Sequence, residues 1–187
     1  MKSIIYFVAA TFFLLLAGCS ENGTSVNLPA TPQKQLIKLP QKEGLSKDFQ
    51  LSVTKKVNGN IGSSIVIKGN YLNAEGKLIK VYGALRIPSG AFDGEREITM
   101  TIDNQYAAVE FYPHMTFDKP LNLNLMFAGL DLSTLNLPNG SVGFYYVDDK
   151  GNLTPIANQG VLVNNFLGSL MVVGARIDHF SRYAFAK

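Results

Sequence analysis

From Asp48 to the C-terminus the chain alternates apolar and polar residues with a period of two. Ile98, Met100 and Ile102 interleave with Glu97, Thr99 and Thr101, and Ala107, Val109 and Phe111 with Ala108 and Glu110. Leu121, Leu123, Leu125 and Phe127 interleave with Asn122, Asn124 and Met126. Val142, Phe144 and Tyr146 lead into the polar turn Asp148-Asp149-Lys150-Gly151-Asn152. Successive strand side chains point to opposite faces, so this period belongs to strands buried on one side. Further strand-like runs are 49–57, 64–71, 77–87, 160–163, 169–173 and 177–185. Asn58-Gly59, Pro88-Ser89-Gly90, Asp93-Gly94 and Asn139-Gly140 supply the turn chemistry between them. No window sustains a helical stripe beyond about two turns. Short strands with a turn every 8–12 residues predict an all-β domain, an antiparallel β-sandwich over residues 48–187, with no internal repeat.

Ahead of that domain the pattern changes twice. Met1-Lys2-Ser3 is a short positive segment, and Ile4 to Leu16 is an apolar run, the length of a secretory signal core and too short to span a bilayer. It ends in Leu16-Ala17-Gly18-Cys19, which resembles the bacterial lipobox. The resemblance implies a signal peptide over residues 1–18, cleaved on the N-terminal side of Cys19 after that thiol has taken up diacylglycerol. Small residues beside the cut let a peptidase approach the backbone, and the single cysteine of the chain stands where the box requires it. Each buried CH₂ contributes about 0.8 kcal/mol, so two or three acyl chains anchor stably where one does not. In Gram-negative lipoproteins an Asp after the cysteine favours inner-membrane retention; Ser20 stands here, which by resemblance favours the outer membrane.

Residues 19–47 read as the lipidated cysteine and a flexible tether, polar, without periodicity and punctuated by Pro29, Pro32 and Pro40. The charge is uneven: residues 20–60 carry six lysines against Glu21, Glu43 and Asp48. Contact with anionic head groups is one reading of that excess, but the lysines are dispersed, which favours a solvated linker.

Composition narrows the function classes. The 187 residues are 47% hydrophobic and 17% charged, which excludes a disordered charged tail protein. One cysteine excludes an intrachain disulfide or a multi-cysteine zinc site. A net charge of +3 with no basic cluster gives no support to nucleic-acid binding.

Residues 83–185 resemble the ZU-five domain, the β-sandwich of netrin receptors, ankyrins and some bacterial envelope proteins. The residues carrying the resemblance are Leu85-Arg86-Ile87-Pro88-Ser89-Gly90-Ala91-Phe92 and the strand Ile98–Ile102. Val109-Glu110-Phe111-Tyr112-Pro113, Phe117-Asp118-Lys119-Pro120 and the closing Asp178-His179-Phe180-Ser181-Arg182-Tyr183 follow in order. Pro113-His114-Met115 departs from the glycine-bearing turn expected there, and residues 48–82 are extra strands outside the resemblance.

The resemblance also directs attention to His179-Phe180-Ser181. In several self-cleaving sandwich domains, some ZU-five relatives among them, a His-Phe-Ser motif cuts its own backbone. Carried over, the Ser181 hydroxyl attacks the Phe180 carbonyl, His179 accepts the proton, and water hydrolyses the ester that replaces the peptide bond. Strain in the surrounding backbone, of order 1–3 kcal/mol per distorted residue, would drive it. In non-cleaving relatives the same pattern is a closing strand with Phe in the core. A cut here would free only Ser181–Lys187, with no downstream domain, which favours the structural reading.

Other candidates are thinner. His114 would need carboxylate partners to hold zinc. Asp148, Asp149 and Asn152 lack the twelve-residue calcium loop ending in Glu and read as a hairpin turn. Ser20, Ser133 and Ser141 have no Gly-x-Ser-x-Gly context. Tyr146 shares the face of Phe144 and belongs to the core, leaving Tyr145 for a binding surface. The sequence therefore predicts a non-catalytic, lipid-anchored envelope protein without a cofactor or metal. Its sandwich would serve structure or contact an envelope protein or polymer; self-cleavage and carriage of a small apolar ligand between the sheets are the alternatives.

Overall fold

The computed structural model describes residues 34–40, 51–133, 137 and 141–187. The signal peptide, Cys19, Ser20, most of the tether and the Asn139-Gly140 turn lie outside the described residues. The strands are β1 (Leu51–Asn58), β2 (Ser63–Leu72), β3 (Leu78–Ile87), β4 (Glu95–Ile102), β5 (Ala108–Tyr112) and β6 (Thr116–Ala128). They continue with β7 (Gly143–Val147), β8 (Leu153–Pro155), β9 (Gly160–Asn164), β10 (Ser169–His179) and β11 (Arg182–Ala186).

They form two antiparallel sheets packed face to face, a β-sandwich. One sheet has the order β1-β4-β5-β11-β7-β8, the other β2-β3-β6-β10-β9. The alternation read from the sequence decides which side chains meet between them. Leu121, Leu123, Leu125 and Phe127 of β6 point inward, as do Leu170 and Val172 of β10. They face Ile98, Met100, Phe111, Phe144, Tyr183 and Phe185 of the other sheet in one continuous core. Residues 51–82 are integral to it, because β1 pairs with β4 and β2 with β3 along their whole lengths.

Three features depart from the expected strand plan. The run 177–185 is two strands, since β10 continues from Ser169 to His179 and the chain then changes sheets over Phe180 and Ser181. A bulge after Val172, where Gly174 adopts φ +60°, shifts the β10 register; such an extra residue bends the strand and increases its twist. The short β8 pairs with β7 without any alternating pattern of its own.

A fourth departure is at the tether. Residues 34–40 are a strap on the folded unit, which begins at Lys34. Gln35 and Lys187 exchange backbone hydrogen bonds of 2.8 and 2.9 Å, Ile37 N donates to Phe185 O, and Leu39 N donates to Gln105 O. Ile37 and Leu39 are buried in the main core, and Leu36 packs over Ala108, Val147 and Ala184 on the outer face of the six-stranded sheet. The Tyr71 hydroxyl donates to Pro40 O at 2.9 Å, fastening the strap to the other sheet. The strap thus crosses one end of the sandwich, beside the β2–β3 turn, the end of β6 and the β9–β10 hairpin.

Candidate functional site

His179-Phe180-Ser181 lies at the opposite end of the sandwich, where the chain leaves β10 and enters β11. The apolar alternation of β10 puts Ile177 in the core, a second register shift follows it, and Phe180 then turns inward. Its ring is 1% exposed, stacked on Phe111 with centroids 5.1 Å apart, and edge-on to Phe117 at 4.7 Å. The backbone of the corner is tied on three sides. Phe180 N donates to Met115 O at 2.7 Å, Phe111 N donates to Ser181 O at 3.1 Å, and the Tyr183 hydroxyl donates to His179 O at 2.6 Å. Burial pushes the Tyr183 phenol well above its ordinary pKa, with the nearby Asp178 charge adding to the effect.

The two groups that self-cleavage needs are near in sequence but engaged differently. The half-buried His179 ring stands edge-on to Tyr146 at 4.7 Å and tilted to Tyr183 at 6.0 Å. Among the described residues no hydrogen bond joins it to Ser181. A general base must come within about 2.6–3.2 Å of the proton it takes, a contact that in an uncommitted site often tightens only as the reaction proceeds. The geometry is that of a packed corner holding a serine and a histidine on one short segment.

Beyond the corner, Arg182 pairs across the outer face with Asp103 at 2.5 Å, and its guanidinium lies 5.5 Å from the centre of the Tyr106 ring. The second oxygen of Asp103 accepts the backbone N–H groups of Gln105 and Tyr106, shaping the turn before β5. Position 182 stands out in the sequence only as part of the closing motif. Nothing local points to a partner 79 residues away.

The remaining candidates separate. Tyr145 is not a free binding surface: it is 6% exposed, and the Lys34 ammonium lies over its ring at 5.1 Å. Its place on the outer face was readable, but the strap that covers that face was not. Tyr146 packs against the core as its alternation required. His114 stacks on Tyr112 with centroids 5.1 Å apart, beside the cis Tyr112-Pro113 bond. Among the described residues no three His, Cys, Asp or Glu side chains come together. Asp148 closes its own turn, accepting N–H donors from Lys150 and Asn152 at 2.9 and 2.7 Å and the Asn152 side chain at 2.7 Å. The Asn152 side-chain bond leads the effects that hold the Asp148 carboxyl below the ordinary range. Asp149 is exposed in the same turn. Ser133 donates to Asp131 at 2.6 Å, and the Ser141 hydroxyl is buried without a partner.

Two spaces adjoin the strap. One, bounded by Leu39, Leu51, Tyr71, Val81 and Ile102, has about 30 Å³. The other is an open cleft of about 370 Å³ between the strap and Leu130–Leu132.

No family model matches the chain, and no curated protein and no solved structure does.

Proposed function

We propose that this is a lipid-anchored protein of the bacterial cell envelope, held by acyl chains on Cys19, whose β-sandwich is a non-catalytic structural or interaction module. The observation that carries the reading is Leu16-Ala17-Gly18-Cys19 behind an apolar run, with the chain's sole cysteine at the position of attachment. The ZU-five resemblance of residues 83–185 adds a fold used elsewhere for contacts between proteins. Ser20 favours the outer membrane in a Gram-negative host.

A second reading, self-cleavage between Phe180 and Ser181, draws support from the place of the motif at a sharp change of sheet. One measurement separates the two: the intact mass of the full chain taken from the membrane fraction of a lipoprotein-processing bacterium. Acylated Cys19 through Lys187 supports the anchored, uncut module. Acylated Cys19 ending at Phe180, with a Ser181–Lys187 peptide that disappears in Ser181→Ala, replaces it with a self-processing protein. A mass without lipid on Cys19 overturns the anchor.

A further inference from the structure

The outer face of the five-stranded sheet changes character along its length. Near the His-Phe-Ser corner, the row across β2, β3, β6 and β10 is Ser64, Arg86, Asn122 and Arg176. Midway along the face, the corresponding row beyond Lys68 is Tyr82, Met126, Met171 and Leu162, apolar over four adjacent strands, and the next row toward the strap, with Asn70, Lys80, Ser169 and Asn164, is polar. At the strap end Leu72 and Leu78 face each other across β2 and β3, both exposed. The β9–β10 hairpin ends in Phe166 and Leu167, and the Phe166 ring is 96% exposed.

Leu130 ties this end together: its N–H donates to Gly168 O behind the hairpin tip, and it lines the cleft whose other wall is the strap. The end that carries Phe166 and Leu167 is therefore the end at which the chain from Cys19 enters the domain. Fourteen residues lie between Cys19 and Lys34. Even fully extended the connection spans at most about 54 Å, so an anchored domain stays within reach of the bilayer.

We propose that the strap end of the domain, led by Phe166 and Leu167 at the β9–β10 hairpin tip, docks on the phospholipid bilayer that holds the acyl chains of Cys19. The proposal rests on the lipid-anchor reading and adds an orientation to it: this end rests in the head-group region and the His-Phe-Ser corner points away. Phe166 and Leu167 are adjacent large apolar side chains left exposed at a hairpin tip. A membrane fits such a tip because Phe and Leu side chains bury themselves at the boundary between head groups and acyl chains. The cations around it suit the same place. Lys68 lies over the Tyr82 ring at 5.5 Å, Lys80 shares the outer face, and Lys77 is exposed at the β2–β3 turn, against Glu75 and Asp131. Long cationic side chains can rest on apolar surface while their ammonium groups meet anionic phosphate.

The test uses the full chain, acylated at Cys19, in vesicles of phosphatidylethanolamine and phosphatidylglycerol. An environment-sensitive nitrobenzoxadiazole label is placed at Leu167→Cys and, as a control, at Ile61→Cys, which is 76% exposed at the opposite end. The label at 167 is expected to shift to the blue and to lose about half its emission when the vesicle lipids carry bromine on their acyl chains, and the label at 61 to do neither. Equal behaviour at the two positions in protein whose mass shows acylated Cys19 overturns the docking and leaves the anchor standing. A blue shift at 167 without quenching by brominated lipid means that a second copy or another protein covers the patch, and this also overturns it. A mass without lipid removes the anchor and the docking together.

Discussion

Tyr183 shows how much one side chain does at the corner between the sheets. Its ring is buried against Phe111 and Phe144, and its hydroxyl closes the turn by donating to His179 O. Tyr183→Phe keeps the ring and removes the bond, leaving a carbonyl in a low-dielectric setting, so it should cost about 1–2 kcal/mol in a urea titration. The same burial has a consequence at high pH. The Tyr183 phenol is pushed up from its ordinary value of 10.0, and burial pushes Tyr71 up to about 12. Below pH 10 the folded and unfolded chains both keep these protons and the stability is fully present. Above it the unfolded chain ionises first, and stability falls as pH rises toward the folded values. Tyrosinate absorbance should therefore show two phenols titrating together with unfolding, and Tyr183→Phe should show one. Two early phenols in a still-folded protein would contradict this assignment.

At the scale of elements, alternation made most of the sandwich legible. β3 carries a period-two pattern over its whole length and β6 over Leu121–Ala128, because one face of each is core and the other is not. Elements without that contrast were hidden. Gln35 to Leu39 alternates over too few residues to stand out from a polar tether, yet Ile37 and Leu39 reach the core from it. The run 177–185 keeps buried apolar residues on both sides of the corner, because Phe180 is buried on leaving one sheet and Tyr183 on entering the next. Those apolar positions therefore do not mark the place where the backbone turns. The candidate site was half legible for the same reason: the motif identified its three residues but not the change of sheet that they make. The strap can be tested directly. Ile37→Ala should cost about 2–4 kcal/mol, as other large-to-small changes in a core do. Lys38→Ala, exposed between the two buried strap residues, should stay within about 0.5 kcal/mol of the parent. Equal, negligible effects in thermal or urea unfolding would return residues 34–40 to the tether.

At the scale of the whole molecule, the folded unit is closed by its first and last segments, the strap and β11. The strap pairs with the end of β11, and β11 lies between β5 and β7 in the interior of its sheet. The last strand is thus indispensable to a fold whose ten other described strands all precede it. Its Tyr183 and Phe185 are fully buried, and burial of such a ring contributes about 3 kcal/mol. Two rings with the backbone pairing on both sides of β11 match the roughly 5–15 kcal/mol of net stability typical of a domain. A chain ending at Phe180 is accordingly expected to be unfolded, with dispersed amide resonances lost, and to refold when a synthetic Ser181–Lys187 peptide is supplied in excess. The same arithmetic governs the self-cleavage reading. A cut after folding would break one covalent bond at the corner while β11 kept its neighbours, so the peptide should remain bound until denaturant is added. A truncated chain that folds without the peptide would mean that the six-stranded sheet closes without its central strand, and the account of the core given by Tyr183 and Phe185 would fail with it.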